Sequence, residues 1–220
     1  MHRFRAIRAA SRARLRGVQT TASDAGPDIS ISAADSLHLK RCIALAREAA
    51  SRGDVPVAAL ITGPCGAMLA EAKNAVVGHN ATAHAEMLAL AGACNTARAH
   101  RLDGCTVYVS LEPCVMCYGA IMMLLHRISR VVYCTSSPKF GAISLGVVAL
   151  LRDRANHEAV VLNVGGELGA ESAGVLKDFF ASRRSQRPSE GRESDGCQCA
   201  GSSLIGRGAN DTDIPIHDEG

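Results

Sequence analysis

Hydrophobic positions between residues 35 and 184 recur with two periods, and these predict alternating helices and strands. A helical period over residues 35–53 begins at an Asp-Ser pair and stops at a glycine. Apolar residues over 55–61 predict a strand, Gly and Pro at 63–66 predict a turn, and residues 67–75 predict a second strand. The first part of this region is therefore expected to be a helix followed by a β-hairpin.

The alternation continues beyond the hairpin. Helices alternating with strands after an initial hairpin indicate an α/β layered domain with a mixed sheet. The further elements that the pattern predicts are a helix at 84–97, a strand at 105–111, a helix at 114–126, a strand at 130–134, a helix at 145–153, a strand at 159–164 and a helix at 170–184.

The amino-terminal segment lacks this pattern. Residues 1–23 contain six arginines and no acidic residue, and their few apolar residues have roughly helical spacing, which is typical of an organelle transit peptide. The alternative is a basic arm that binds RNA phosphates. This segment favours a mitochondrion or plastid; without a transit peptide, the cytoplasm or nucleus is expected.

Composition completes the domain organisation. Residues 1–34 are predicted to be a basic leader and linker, residues 35–184 a catalytic domain, and residues 185–220 a disordered tail that contains Cys197 and Cys199. Residues 24–184 contain 15 basic and 14 acidic residues, so no overall field argues for nucleic acid. Nine cysteines, mostly within apolar runs, indicate a reducing compartment, and no apolar run approaches the ~18 to 20 residues that span a membrane.

Two short motifs contain the candidate chemistry. Cys114 and Cys117 are three residues apart at the start of a predicted helix, where positions i and i+3 are neighbours, so both sulfurs can reach one ion. His84, 30 residues upstream, supplies a third ligand. Three protein ligands leave one position for water, which is the arrangement of a catalytic zinc site.

Glu86 gives this site a proton acceptor. Zinc lowers the pKa of a bound water to ~7, and a nearby carboxylate can move that proton to a leaving amine. Residues i and i+2 point about 200° apart on a helix, so the pair requires His84 at a cap-like position. The combination resembles the pattern of the zinc nucleobase deaminases, which implies deamination chemistry. Taken alone, the cysteine pair also fits a structural zinc site, a redox pair or core residues. Glu112, next to the cysteine motif, is open to a structural role as a hydrogen-bond acceptor.

Residues 36–184 resemble the bacterial-type tRNA-specific adenosine deaminases of the cytidine deaminase superfamily. The resemblance implies a three-layer α/β/α fold with a mixed five-stranded sheet, one zinc ion per subunit and a dimer. It also implies hydrolysis of adenosine to inosine at the tRNA wobble position, with the anticodon stem-loop as the partner. The stretches that carry it are residues 54–57, 82–86, 111–117, 130–133, 179–180 and 183–184.

The same resemblance implies roles for individual residues. His84, Cys114 and Cys117 would hold zinc, and Glu86 would move protons. Phe179 is expected to pack into the core. The residues expected to bind the substrate are Asn74 and Ala85 beside the base, and Lys177, Phe180, Arg183 and Arg184 on the last helix.

Three positions depart from the family pattern. Ala58 replaces a glycine, Ala81 a proline and Ser137 an acidic residue, which affects the loops expected to contact RNA. Residues 80–82 are also similar to the catalytic subunit of the heterodimeric eukaryotic enzymes, so both a homodimer and a heterodimer are open. The other functions to test are a deaminase of free guanine or cytosine and a non-catalytic zinc or RNA-binding subunit.

Overall fold

The computed structural model describes residues 31–123, 128–152 and 159–186. The predicted leader at 1–23, Cys197 and Cys199, and the tail from residue 187 onward lie outside these ranges, so the roles predicted for them stay predictions. Among the described helices, none is long and apolar enough to cross a membrane.

All the elements predicted between residues 35 and 184 are present, and most of their bounds differ by a few residues. The predicted helix ends at residues 126 and 153 lie outside the described ranges. The last helix starts four residues earlier than predicted, after a glycine with a positive φ of 58°. In chain order the elements are α1 (Ala33–Ser51), β1 (Ala58–Thr62), β2 (Met68–Lys73), α2 (Ala85–Ala97), β3 (Thr106–Leu111), α3 (Val115–Met123), β4 (Arg130–Thr135), α4 (Val147–Arg152), β5 (Val160–Asn163) and α5 (Gly166–Ser185).

The five strands form one mixed sheet in the order β2-β1-β3-β4-β5. Strand β1 pairs antiparallel with β2 and with β3, whereas β3, β4 and β5 are parallel to one another. The predicted mixed five-stranded sheet is thereby confirmed. Parallel strands present their carboxyl ends at one edge, and the chain leaves β3 and β4 there at Leu111 and Thr135.

Side chains that alternate along the strands fill two separate cores. Leu60, Tyr108 and Val132 pack with α1 and α5 on one face. Ala59, Val107 and the other residues on the opposite face pack with α2 and α3. Because successive strand residues point to opposite faces, the alternation produces the three-layer α/β/α arrangement that the resemblance implied.

Helix α1 begins two residues earlier than predicted. The Asp-Ser pair at residues 35–36 is not the cap; Ser32 is, and its hydroxyl oxygen accepts a bond from the Asp35 N–H at 3.1 Å. The Asp35 carboxylate accepts in return from the Ser32 N–H at 2.9 Å. This reciprocal capping box satisfies amide groups that the helix itself cannot pair, and it places residues 33–34 in the helix instead of the linker.

Helix α5 is attached to the sheet by small residues. The Ser172 hydroxyl is buried and donates to the Ser110 carbonyl of β3 at 2.6 Å. Gly169 lies so close to β4 that a Cβ would be 2.8 Å from the Cys134 carbonyl oxygen. These contacts bring the final turns of α5, with their phenylalanines and arginines, to the sheet edge where β3 and β4 end.

Candidate active site

His84 lies at the amino-terminal end of α2. It is the N-cap residue, with extended backbone angles of φ −71° and ψ 150°, and Glu86 lies in the first turn. The expectation of a cap-like position for His84 is thus confirmed. The change from extended to helical backbone between the two residues lets both side chains reach one cavity.

Two sulfur atoms face the His84 ring. Cys114 lies directly before α3 and Cys117 is buried in its first turn. The His84 Nδ1 atom is 3.6 Å from the Cys114 Sγ and 3.5 Å from the Cys117 Sγ. The three ligand atoms all lie within 4.8 Å of one another, the only such group among the described residues. The structure therefore brings together the three ligands predicted from their spacing.

The thiols behave as a coupled pair. The hydrogen bond with Cys117 lowers the pKa of the Cys114 thiol to about 5, and the same bond, with burial, raises the pKa of Cys117. The two shifts have opposite directions because one thiol donates to the other. A metal ion held by both sulfurs would require both thiols to be deprotonated.

Glu86 is almost fully buried beside these ligands. Its Oε2 atom has no hydrogen-bond partner within the described structure, and burial raises the pKa of the carboxyl to about 7. An orphaned buried carboxylate oxygen is costly unless something in the site pairs with it. One nitrogen, two sulfurs and this oxygen fit a zinc ion with a water at its open position.

Asn74 fixes the residue between His84 and Glu86. Its Oδ1 atom accepts a hydrogen bond from the Ala85 N–H at 2.8 Å, and the Asn74 side chain is buried. The described structure therefore gives Asn74 a structural contact in addition to its place in the cavity wall. Ala85 is fully buried and its N–H is the donor to Asn74, so the contact with substrate predicted for it stays a prediction.

One cavity of about 940 Å³ lies against this arrangement, although Cys117 is not among its lining residues. His84, Glu86 and Cys114 lie in its wall, and so do residues of the loop after β4 and of the last turns of α5. A cavity of this size accommodates more than a single nucleobase. The wall residues outside the ligand group include Asp54, Asn74, Val77, Ser137, Lys139, Phe140, Leu176, Phe179, Phe180 and Arg183.

The residues at the end of α5 that were predicted to bind substrate line two different concavities. Phe180 and Arg183 line the large cavity, whereas Lys177, Phe180 and Arg184 line an adjacent groove of about 360 Å³. Phe179 is not part of the core as expected. It lies in the cavity wall, with its ring edge-on to Phe180 at 5.3 Å.

Arg183 also has a structural contact that the sequence did not indicate. Its guanidinium donates to the Gly53 carbonyl at the end of α1 and lies 5.3 Å from the Phe179 ring. The helix end is thereby attached to the turn that precedes β1. A phosphate bound by Arg183 would have to share the guanidinium with the Gly53 carbonyl.

Glu112 organises the loop that follows β4. Its carboxylate is 2% exposed and accepts from the Ser137 N–H at 2.7 Å. It also accepts from the Ser144 N–H at 2.7 Å and from the Ser144 hydroxyl at 2.6 Å. Its role as a structural acceptor agrees with the alternative left open above. In the sequence, the only indication of this role is the position of the Glu112 carboxylate next to the metal motif.

The sequence comparisons agree with this site. Residues 32–135 match the model of the cytidine and deoxycytidylate deaminase zinc-binding region. The chain is 38% identical over 154 residues to the tRNA-specific adenosine deaminase of Bacillus subtilis, which covers 70% of this chain and 92% of that protein. The chain belongs to the family of tRNA-specific adenosine deaminases. A zinc ion is therefore the cofactor that the His84, Cys114 and Cys117 group fits.

Solved structures share the fold. A structure from a study of A-to-I editing by tRNA A34 deaminases at the wobble position has a TM-score of 0.58 and 33% identity, covering 64% of this chain and 99% of that one. The guanine deaminase of Nitrosomonas europaea has a TM-score of 0.54 and 24% identity, covering 71% and 89%. At 24% identity, the similarity to the guanine deaminase shows only that the two proteins share a fold.

Proposed function

We propose that this protein hydrolyses adenosine to inosine at the wobble position of a tRNA anticodon. The observation that carries the proposal is the orphaned Glu86 carboxylate oxygen, buried in one cavity with the His84 and Cys114 ligands. The tRNA specificity is supported by membership in a family whose relatives are named for it. Overall, water and adenosine give inosine and ammonia.

The chain's own residues supply proton transfer and placement. His84, Cys114 and Cys117 would hold zinc, which provides a water with a lowered pKa. The Glu86 carboxylate would accept a proton from the attacking water and deliver it to a ring nitrogen. It would then carry the second proton of that water to the amine, which departs as ammonia. Burial of Glu86 keeps its pKa near neutrality, which suits a group that both accepts and donates a proton.

The substrate base must leave its stack to reach a buried carboxylate. This costs least in a single-stranded loop, so an anticodon loop is a suitable substrate. The Asn74 side chain lies in the cavity wall beside Glu86, where its amide can donate to the base. Lys177, Phe180, Arg183 and Arg184 provide aromatic and cationic groups for the flanking RNA.

A homodimer is part of the proposal. Val115 and Met116 of α3 are exposed, and so are Leu145 and Leu150 in and before α4. The two segments are adjacent because Cys114 forms a backbone bridge with Gly141. Exposed apolar side chains on neighbouring elements are typical of a protein interface. A heterodimer with a related subunit would use the same surface, and the measured mass of the purified complex distinguishes the two.

The test is deamination of a defined RNA. Zinc-loaded protein is incubated with an anticodon stem-loop that has adenosine at the wobble position and with a matched loop that has guanosine there and adenosine one position away. Inosine is measured by mass spectrometry of the digested RNA. We expect inosine from the first RNA only. No inosine from a full tRNA set, with a candidate partner subunit added, would reject the proposal.

Small substrates separate the alternatives. Ammonia release from guanine, cytosine and their nucleosides is measured beside the RNA reaction. Rates equal to the RNA rate would identify a free-base or nucleoside deaminase. A non-catalytic zinc or RNA-binding subunit predicts no turnover on any of them, but such a subunit needs no buried proton acceptor, and Glu86 is present.

A further inference from the structure

Phe140 is an aromatic ring at the exposed rim of the catalytic cavity. Its side chain is 61% exposed and is absent from the hydrophobic cores, yet it forms part of the cavity wall. Glu86, in the same wall, is 3% exposed. The cavity therefore extends from a buried end at the proton acceptor to an open end at this ring.

A cation accompanies the ring. The Lys139 Nζ atom lies 5.0 Å from the centroid of the Phe140 ring, within the range of a cation–π contact. The end of α5 presents a similar combination, with Phe180 44% exposed and Arg183 against Phe179. Two segments far apart in the chain thus each bring an exposed ring and a positive charge to one cavity.

The backbone at Phe140 is held by hydrogen bonds on both sides of the residue. Its N–H donates to the Ser137 carbonyl at 3.2 Å, and Ser137 donates to Glu112. The next residue, Gly141, forms a backbone bridge with the metal-ligand candidate Cys114. The backbone that carries the ring is therefore held in place before substrate binds, which reduces the entropy lost on binding.

We propose that Phe140 stacks on the base of a nucleotide adjacent to the edited adenosine, with Lys139 neutralising the neighbouring phosphate. The inference rests on the proposed function and extends its binding site to the loop after β4. A flat apolar ring beside a cation matches the two parts of a single-stranded nucleotide, the π-face of its base and its anionic backbone. A ring for protein contact alone would not require the adjacent cation.

Tryptophan fluorescence tests the stacking directly, because the chain contains no tryptophan. A Phe140→Trp substitution introduces a single fluorophore at the rim. We expect the anticodon stem-loop to quench its emission on binding. The matched control is Met68→Trp, at an exposed position of β2 that does not line the cavity, and its emission should not change. Emission of the Phe140→Trp protein that stays unchanged by RNA would overturn the inference.

RNA with a missing base shows which neighbour is involved. Two stem-loops are prepared with an abasic site on the 5′ side or the 3′ side of the wobble adenosine. Loss of quenching with one of them supports stacking and identifies the neighbour. Quenching that persists with both would overturn the inference, since the ring would then contact something other than an adjacent base.

Kinetic constants distinguish a loss of stacking, which raises KM, from a general loss of folding. We expect Phe140→Leu to raise KM for the stem-loop roughly tenfold, the effect of losing one base–aromatic stack, with little change in kcat. Phe140→Tyr retains the ring and should restore the wild-type KM. Equal KM values for all three proteins would contradict the stacking role.

Failure of this inference can be told apart from failure of the proposed function. Inosine formed by the wild-type protein, without quenching of the Phe140→Trp variant, rejects the stacking role alone. Quenching without inosine supports the stacking role and rejects the proposed reaction. A dimer contact at Phe140, instead of an RNA contact, would appear as emission that changes with protein concentration and not with RNA.

Discussion

Gly141 lies against Glu112, and a Cβ at Gly141 would be 2.2 Å from the carboxylate carbon. Glu112 is buried and accepts three hydrogen bonds from Ser137 and Ser144, so the carboxylate cannot move away without losing them. This contact holds the loop after β4 against the segment that contains Cys114.

Gly141→Ala should therefore destabilise the protein. Displacing the carboxylate breaks the hydrogen bonds that its buried oxygens accept, and we expect the free energy of unfolding, measured in urea, to fall by about 1–3 kcal/mol. The matched control is Gly174→Ala in α5, where a Cβ meets no atom within 4 Å. That change should be neutral or stabilising by up to ~1 kcal/mol, because alanine favours a helix. Equal effects of the two substitutions on the free energy of unfolding would contradict a stabilising role for the contact between Gly141 and Glu112.

Glu86→Gln should separate metal binding from catalysis. Glutamine keeps the shape of the side chain but cannot accept the proton, so we expect turnover to fall at least ~100-fold. Zinc content, measured by elemental analysis, should stay at one ion per subunit, because the ligands are His84, Cys114 and Cys117. Glu167→Gln, at an exposed position of α5, serves as the control. A normal rate for Glu86→Gln would reject the mechanism.

Two substitutions at Asn74 distinguish its two contacts. Asn74→Asp retains an oxygen that accepts from the Ala85 N–H but removes the amide donor, so zinc content should be unchanged while KM rises. Asn74→Leu removes both and leaves a buried N–H unpaired, which should also cost about 1–3 kcal/mol of stability. A KM of Asn74→Asp equal to the wild-type KM would show that the amide has no separate role.

Asp35 should make stability depend on pH in acid. Burial raises its pKa, but hydrogen bonds from Arg130, Tyr108 and Ser32 outweigh burial and hold the pKa well below its usual range. Since the folded pKa lies below the unfolded value of ~3.9, Asp35 stabilises the fold above about pH 4 and loses this effect as the pH falls. We expect Asp35→Asn to weaken the acid dependence of the free energy of unfolding between pH 5 and pH 3, relative to Asp178→Asn. Parallel pH curves would contradict this role.

The basic leader predicts organelle import. Residues 1–30 fused to a fluorescent protein should direct it to mitochondria or plastids, because arginine-rich segments without acids are typical of transit peptides. A matched fusion with the six arginines changed to glutamine should stay diffuse. Diffuse fluorescence of the unaltered fusion would leave the RNA-binding arm as the interpretation of this segment.

The sequence determined the order of elements, the mixed sheet and the membership of the metal group. Apolar periodicity follows from local side-chain direction, and the spacing of Cys114 and Cys117 places both near one point on any helix. The position of His84 at a helix start followed from the angle between residues two apart. The helix and strand features depend on neighbours in the chain, so the sequence predicts them without the fold. His84 lies 30 residues from Cys114, and it was assigned to the metal group from the combination of motifs instead.

Only the tertiary structure decided which side chains line the cavity and which hold the surrounding elements in place. Arg183 contacts Gly53 across 130 residues, Arg130 pairs with Asp35 across 95, and Glu112 accepts from Ser144 across 32. No local pattern encodes such distances, because they depend on how α5 and the loop after β4 pack at the sheet edge. The same packing placed Phe179 in the cavity wall and left the Phe140 ring exposed at its rim.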